Sequence, residues 1–580
     1  MSVQVTDPVS TGIVSLKVLV NDNDLNSTLA INSVMVHKEV NKIPFARIIL
    51  HDGDVTIQDF EVSNEADAAP GAEVEIQVGY EFEDETIFKG IITKQRISTG
   101  GNKSSYLMLE CRDKAVATTL GRKNACFHEV PDSDAIEEIL GNYDLSPDVE
   151  ATEVVHKELV QYHATDWDFI LSRAEANAQL IMLQDESFTI AGPDAAKTPV
   201  LVAAYGDNIL SFEAETEARF QYTAVKSKSW SSADQEMIED ESEEPDLKTQ
   251  GDLPGDELAD VIGLESFDML HPGQLPVEEL KAMASAQMLK SRLSRVIGTV
   301  TIQGHAALKL GEFITLEGVG NRYNGDAFIT GVRHEINNGN WLSHIQFGLS
   351  SEWFHEKKAI NHPPASGLLP AISGLHIGIV VQLQDDPDSE ERMLIKVPAI
   401  DAEDEGIWAR VARPDAGDGR GIFFMPEIDD EVVIGYLNDD PRNPIVLGVL
   451  HSSAKPAPLT ASDDNHEKGI ITRDELKVLF NDDLKSIELS TPNGNKVLMS
   501  DDEGAINIED ENGNKLLMNS DGITIESAKD IILKATGDVT IEGTNVGVAA
   551  NAEFKAEGSA GAEVSTGAIA VLKGSLVQIN

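Results

Sequence analysis

Apolar and polar residues alternate along most of this chain, and Gly, Asn and Asp interrupt the alternation at short intervals. A period of two puts successive side chains on opposite faces, so the runs predict β-strands and the breakers predict turns. Over residues 13–120 the runs Val14-Ser15-Leu16-Lys17-Val18-Leu19-Val20, Phe45-Ala46-Arg47-Ile48-Ile49-Leu50, Glu73-Val74-Glu75-Ile76-Gln77-Val78 and Phe88-Lys89-Gly90-Ile91-Ile92 read as strands of a small barrel or sandwich. Turn clusters such as His51-Asp52-Gly53-Asp54 part them. Residues 211–360 return to strands, and Thr299-Val300-Thr301-Ile302-Gln303-Gly304, Gly311-Glu312-Phe313-Ile314-Thr315-Leu316 and Phe328-Ile329-Thr330-Gly331-Val332 read as a second barrel.

Three stretches switch to a helical period. Residues 132–140 begin with acidic side chains, as the positive end of a helix favours. In the second, Thr165 and Asp168 have the spacing of a capping box, and Trp167, Ile170, Leu171, Ala174 and Ala178 share one face. The third runs from Pro276 to about Arg295, with proline in its first turn. The breaker-rich Asn361-His362-Pro363-Pro364-Ala365-Ser366-Gly367 is a rigid linker. Beyond it, residues of about 370–455 hold short strands around Gly378-Ile379-Val380-Val381, Met393-Leu394-Ile395-Lys396-Val397, Ile407-Trp408-Ala409-Arg410-Val411 and Glu431-Val432-Val433-Ile434-Gly435-Tyr436, which suit an OB-like barrel.

From Ile471 onward the character changes again. Phe480 and Phe554 are the only aromatic residues, and neither cysteine nor histidine occurs. Short alternating runs such as Val539-Thr540-Ile541 and Ala552-Glu553-Phe554-Lys555-Ala556 are cut by corners, and Asn493-Gly494-Asn495-Lys496-Val497-Leu498-Met499 recurs as Asn512-Gly513-Asn514-Lys515-Leu516-Leu517-Met518. Spaced self-similarity of this kind marks stacked architectures. One chain of such thin strands has an apolar stripe and nothing to bury it against, so several copies wound into a β-prism or β-helix are expected. At about 4.8 Å per layer the stack would extend on the order of 60–70 Å.

Composition narrows the class. With 580 residues the chain is too long for one core, and about three or four domains are expected. A net charge of −54 repels phosphate backbones and anionic headgroups, which argues against nucleic acid as a partner. Residues 231–260 carry twelve acidic residues and one lysine; this reads as a solvated, mobile loop and lacks the spacing of an EF-hand. Cys111 and Cys126 are too few for a disulfide framework and fit a reducing site of synthesis. Met1 to Ser10 lack a basic region and an apolar core, so no Sec-type signal is expected, and no apolar run approaches the roughly 20 residues of a membrane helix.

Several strings carry a resemblance to a known family. Thr165-Asp166-Trp167-Asp168-Phe169-Ile170-Leu171-Ser172-Arg173 resembles the hub helix of VgrG and phage tail-hub proteins, the spikes of contractile injection systems. Trp408-Ala409-Arg410-Val411-Ala412, Pro426-Glu427-Ile428-Asp429-Asp430-Glu431-Val432-Val433 and Asn438-Asp439-Asp440-Pro441-Arg442-Asn443-Pro444-Ile445-Val446-Leu447-Gly448 are similar to the gp5-type OB domain of those spikes. Ser452-Ser453-Ala454-Lys455-Pro456-Ala457-Pro458 and Asp463-Asp464-Asn465-His466-Glu467-Lys468-Gly469 resemble most the spikes of extracellular, phage-tail-like particles. The resemblance implies a mainly β fold with a few helices. Residues 1–360 would form a gp27-like hub of two β-barrels whose segments interleave, with the acidic loop at about 231–260. Residues 370–455 would form the OB-fold, and residues 470–580 an intertwined trimeric β-helix or prism.

The resemblance further implies a homotrimer whose hub meets a hexameric inner tube and baseplate proteins, and whose rod pierces an envelope in transient contact with the target membrane. Effector cargo and a PAAR-like tip protein would ride on it, the tip docking at Val577, Gln578, Ile579 and Asn580. Synthesis in a bacterial cytoplasm and incorporation into a released or anchored particle follow from the same comparison. No catalytic, cofactor or metal residues are expected. G-x-S-x-G, H-E-x-x-H and P-loop motifs are absent, and His362, His451 and His466 lack ligand spacing. Only about twenty residues part Gly448 from Ile471, too few for the lysozyme that some phage spikes insert there. A trimeric glycan-binding adhesin and an envelope-degrading enzyme are the alternatives. The first needs a solvent-facing aromatic groove, yet every Trp precedes residue 409.

Overall fold

The computed structural model describes residues 12–25, 30–100, 105–143, 145–185 and 187–579. The segment Met1 to Ser10 and the terminal Asn580, on which sequence expectations fall, lie outside these residues. The chain divides into two units, Met1–Ile372 with Asn438–Pro441, and Ser373–Leu437 with Arg442–Asn580.

Alternation in the first unit produces one 13-stranded sheet. In its first half Val14–Val20, Glu73–Tyr80, Glu83–Thr99, Ser105–Arg112, Phe45–His51 and Ile31–Glu39 lie side by side, all antiparallel. Every second side chain turns inward, and Val18, Val36, Ile48, Leu50, Ile76 and Leu109 build a common core. In the second half Leu201–Ala204, Phe313–Glu317, Gly325–Asn337, Asn340–Phe347, Val296–Gln303 and Ile209–Thr216 enclose a second core around Val300, Ile314, Ile345 and Phe347. The two halves thus draw on successive parts of the chain, residues 14–112 and 201–347, within one sheet. They are joined by a shared strand pair, because Ile31–Glu39 runs antiparallel to Gly325–Asn337 with Val36 opposite His334.

A helical insertion has its own core. The helix Asp166–Ala176 starts at Thr165, whose side chain accepts a hydrogen bond from the Asp168 amide, so one orphan donor of the first turn is satisfied. It buries Trp167, Ile170, Leu171 and Ala174 against Ile136 and Leu140 of the helix Asp132–Gly141. The remaining polar groups are cross-linked. Arg173 donates from Nε and Nη2 to Asp132 at 2.6 and 2.9 Å, and Asn177 and His156 reach the same carboxylate at 2.9 and 3.0 Å.

The acidic stretch 231–260, expected as a loop, is a loop only in part, since residues 242–254 hold no helix or strand. Its first part forms the strand Glu236–Glu241 antiparallel to Val225–Ser231, and its last part begins the helix Gly255–Ile262. The neighbouring strand supplies the reason: Lys226 and Lys228 lie against Glu239, Glu241 and Asp268, so the like charges have counter-charges from outside the stretch.

In the second unit, His376–Gln382, Met393–Lys396, Ile407–Val411, Pro444–Val449 and Glu431–Tyr436 close a five-stranded barrel on Val380, Met393, Ile395, Ala409, Val432, Ile434 and Val446. A seven-stranded antiparallel meander follows, from Glu467–Ile471 to Gly522–Glu526. Residues 539–541 and 552–556, expected as strands, carry no strand pairing in the single chain. Their alternation needs a neighbour, and among the described residues of the same chain none supplies one. Among the described residues no helix is long and apolar enough to cross a membrane.

Asp132 gives a direct check on the insertion. Burial alone would raise its pKa, but the bonds from Arg173, His156 and Asn177 outweigh it and hold the carboxyl below its ordinary range. Its contribution to stability is then present above the ordinary carboxyl pKa and fades as pH falls through the lowered folded value. Asp132→Ala is expected to cost about 2–3 kcal/mol at neutral pH, because Arg173, His156 and Asn177 lose their shared acceptor while Arg173 keeps only Glu279 at 3.4 Å. Urea unfolding followed by Trp fluorescence at pH 7 and at low pH checks both the size and its disappearance in acid.

Candidate functional site

The meander owes its register to its corners. In both copies of the Asn-Gly-Asn-Lys repeat the glycine takes a left-handed conformation, Gly494 at φ +98° and Gly513 at φ +86°. The Gly494 amide donates to the Thr491 carbonyl at 3.0 Å, and the Gly513 amide to the Asp510 carbonyl at 3.2 Å. Each corner delivers the following Lys496–Ser500 or Lys515–Asn519 strand in the same phase. A one-residue slip would exchange the two faces of the sheet, so the repeat of the turn preserves the repeat of the face.

That face is apolar throughout. Ile470, Val478, Leu489, Val497, Ile508, Leu516 and Ile525 stand opposite one another from strand to strand. Beside them run Phe480, Ile487, Met499, Ile506, Met518 and Ile523. None of these residues belongs to any core cluster of the chain, and Ile487, Ile506 and Ile523 are 37%, 37% and 70% exposed. The reverse face is polar at its margins. Glu488 meets Lys496 at 2.8 Å and Glu509 meets Lys515 at 3.0 Å, and Lys496 holds the Glu488 carboxyl below its ordinary pKa. Along its middle this face alternates Leu479, Leu498 and Leu517 with Glu488, Asn507 and Thr524, whereas the first face has two apolar ladders with no cover.

The stretch 527–579 extends the same demand. It has no assigned strand, and Ile532, Val564, Ile569 and Leu576 are largely exposed. Val577 and Ile579 are also exposed, as is Gln578, so three of the residues expected to receive a tip protein lie in this unpaired stretch; Asn580 is outside the described residues. A second apolar feature went unread in the sequence. Ile422, Phe423 and Phe424, just after the small hairpin Ala416–Gly417 with Arg420–Gly421, are exposed, and the Arg413 guanidinium lies 4.5 Å from the Phe423 ring centre. The only available signal was four consecutive apolar residues, Ile422 to Met425, in an otherwise polar loop.

No chemistry-bearing cluster competes with this face. Among the described residues no group of three His, Cys, Asp or Glu is placed to hold a metal ion. His362 meets His163 edge to face at 4.4 Å, without a third ligand. Cys111 is buried, which pushes its thiol up to about 12, and Cys126 is exposed and free.

Comparison with known proteins follows these boundaries. Residues 10–338 match the family described as the Alg8 N-terminal domain, more than half of the chain. Residues 376–451 match the type VI secretion system/phage-baseplate injector OB domain, and residues 486–580 match the phage baseplate V C-terminal trimerisation domain. The chain belongs to the VgrG and phage tail-hub spike family, its first unit to the Alg8 N-terminal domain family. The ladders of this spike protein lie within and beside its matched trimerisation domain.

Among curated relatives, the type VI secretion system spike protein VgrG3 of Vibrio cholerae is 29% identical over 113 residues, 18% of this chain and 11% of the relative. VgrG4b of Pseudomonas aeruginosa is 39% identical over 51 residues, 9% of this chain and 6% of the relative. The aligned stretches thus span about a tenth or less of those relatives. Among solved structures, a tail protein from Neisseria meningitidis has a TM-score of 0.44 at 14% identity, covering 59% of this chain and 98% of that one. An Escherichia coli type VI secretion component, itself similar to the T4 tail proteins gp27 and gp5, has a TM-score of 0.39 at 12% identity, covering 75% and 100%.

A carboxylate placed on the ladders separates assembly from folding. Ile506→Glu is expected to weaken association by at least about 100-fold, since each copy would bury an unpaired charge at a cost of several kcal/mol. Thr524→Glu, on the solvated face opposite Leu517, is expected to leave association unchanged. Sedimentation velocity of the two variants against the parent chain checks the contrast.

Proposed function

We propose that three copies of this chain form the spike and hub at the end of a contractile injection apparatus. The observation that carries the proposal is the pair of uncovered apolar ladders, continuous in sequence with a stretch that has no strand partners of its own. Burying a half-exposed aliphatic side chain is worth about 1 kcal/mol, so the ladders alone offer on the order of 10 kcal/mol per chain. Three copies would turn these faces inward, and the stretch 527–579 would gain its β-pairing from its neighbours. Such interwinding leaves no strand edge open, which suits an element that must withstand axial load.

In this reading the first unit would end a hexameric inner tube, with two barrel-like halves in each of three chains matching six subunits. Baseplate proteins would surround it. The OB barrels would collar the shaft, with Phe423 and Phe424 available for packing between copies. Val577, Gln578, Ile579 and Asn580 would receive a PAAR-like tip, and effector cargo would travel with the assembly through a target membrane. The role is mechanical, and it requires no catalytic group.

Two measurements test the proposal. The full chain is expected to sediment as one trimeric species at micromolar concentration and to remain so at about 1 M salt, where charge interactions are screened to about 3 Å but apolar burial persists. A monomer under these conditions would overturn the assembly. Antibody labelling of purified particles is expected to mark one end of the tail, and label along the sheath would overturn the placement.

A further inference from the structure

A cavity of about 430 Å³ lies in the first unit, walled by the segment that follows the acidic strand, by the end of the helix Val277–Leu293 and by the strand Gly325–Asn337. Its lining carries three carboxylates and three cations, but the pairing leaves one cation over, because Asp252 pairs with Arg322, which lies outside the lining. The lining carboxylates each have a partner: Glu244 takes Arg292 at 2.6 and 2.8 Å, Asp326 takes Lys248 at 3.3 Å, and Asp252 takes Arg322 at 3.2 Å. Arg295 lines the cavity too, and among the described residues no carboxylate pairs with it. Its Nη1 donates to the Leu253 carbonyl at 2.6 Å, and burial together with the nearby Arg292 charge lowers its pKa. Gln250 adds an independent sign. It is 7% exposed, it lines the same cavity, and its Nε2 donor meets no acceptor. A buried donor left unmade costs about 1–3 kcal/mol, so an orphan beside an uncompensated guanidinium marks a missing acceptor.

The wall that holds these groups is fixed. The Gly251 amide donates to the Asn324 carbonyl at 2.7 Å, and the Asp326 amide donates to the Thr249 carbonyl at 3.3 Å. Gly251 itself sits at φ +75°, where a Cβ would collide with the Arg322 carbonyl oxygen. The floor is apolar, with Phe313 and Phe328 in edge-to-face contact at 5.4 Å.

We propose that this cavity binds a single carboxylate carried on a short apolar body, received by the Arg295 guanidinium and the Gln250 amide. One spare cation balances one negative charge, whereas a phosphate would bring more charge than the cavity neutralises. The planar fork of a guanidinium matches a carboxylate, and the volume lies within the range of small-ligand pockets. The carboxylate comes either from a free small acid or from the end of a peptide chain. The inference rests on the first unit alone and stands apart from the trimeric spike reading.

Calorimetric titration of the full-length chain tests it with three probes: sodium hexanoate, acetyl-Ala-Leu with a free carboxyl group, and the same peptide as its amide. Saturable binding of hexanoate with none of the peptide assigns a free acid, and tighter binding of the free-carboxyl peptide assigns a chain end. In either case the amide is expected not to bind, and Arg295→Gln is expected to weaken binding by about tenfold or more. Gln250→Leu removes the orphan donor, so it is expected to keep or raise the thermal midpoint while also weakening binding; it serves where Arg295→Gln fails to fold. No saturable binding by either acid, equal binding of the amide, or unchanged affinity in the folded variants would overturn the proposal.

Discussion

Everything in the second unit beyond the OB barrel depends on one constraint: a sheet of five-residue strands cannot cover its own apolar face. Its strands are too short to curl round a private core, and among the described residues of the second unit no helix or second sheet follows to lie across them. The ladders from Val478 to Ile525 and from Phe480 to Ile523 therefore remain at the surface of a single chain. Hydrophobic burial scales with area removed from water, and here that area can be removed only by other molecules. The match to a trimerisation domain over 486–580 names the natural occupant as further copies of the chain.

The first unit meets the opposite problem, with enough chain to build several cores. Two curled halves share a strand pair, and a helical insertion packs separately around Trp167, Ile170 and Phe188. Several of its buried polar groups are tied into closed sets. Asp132 is held by Arg173, His156 and Asn177, and Asp166 by Lys123, Gln161 and Tyr143. Lys38, almost fully buried, meets Asp185 at 2.6 Å. A low local dielectric makes an unpartnered polar group expensive, most of all beside a charge that has no counter-charge. The Arg295 and Gln250 pair is such a case, set into a wall that is otherwise satisfied.

Local periodicity and turn chemistry were legible without coordinates. Alternation located the barrel strands, the spacing of Thr165 and Asp168 located a helix cap that exists as a hydrogen bond, and the Asn-Gly-Asn-Lys repeat located the corners of the meander. Long strings such as Trp408 to Ala412 and Asn438 to Gly448 carried the family resemblance, and the OB-domain match over 376–451 covers them. These signals are local because they depend on backbone preferences and on residues a few positions apart.

What only the tertiary structure decided depends on neighbours distant in sequence. The acidic stretch read as a loop because its own residues repel, and its part Glu236–Glu241 pairs as a strand beside Lys226 and Lys228, which supply counter-charge. The alternating runs at 539–541 and 552–556 read as strands because a period of two says which face is apolar, not which chain will pair with it. The exposed Phe423 and Phe424 and the unbalanced charge at Arg295 were likewise invisible, since exposure and pairing are properties of the folded surroundings. Sequence alone determined the elements and the need for partner chains. The tertiary structure decided which faces the chain could satisfy by itself and which it left open.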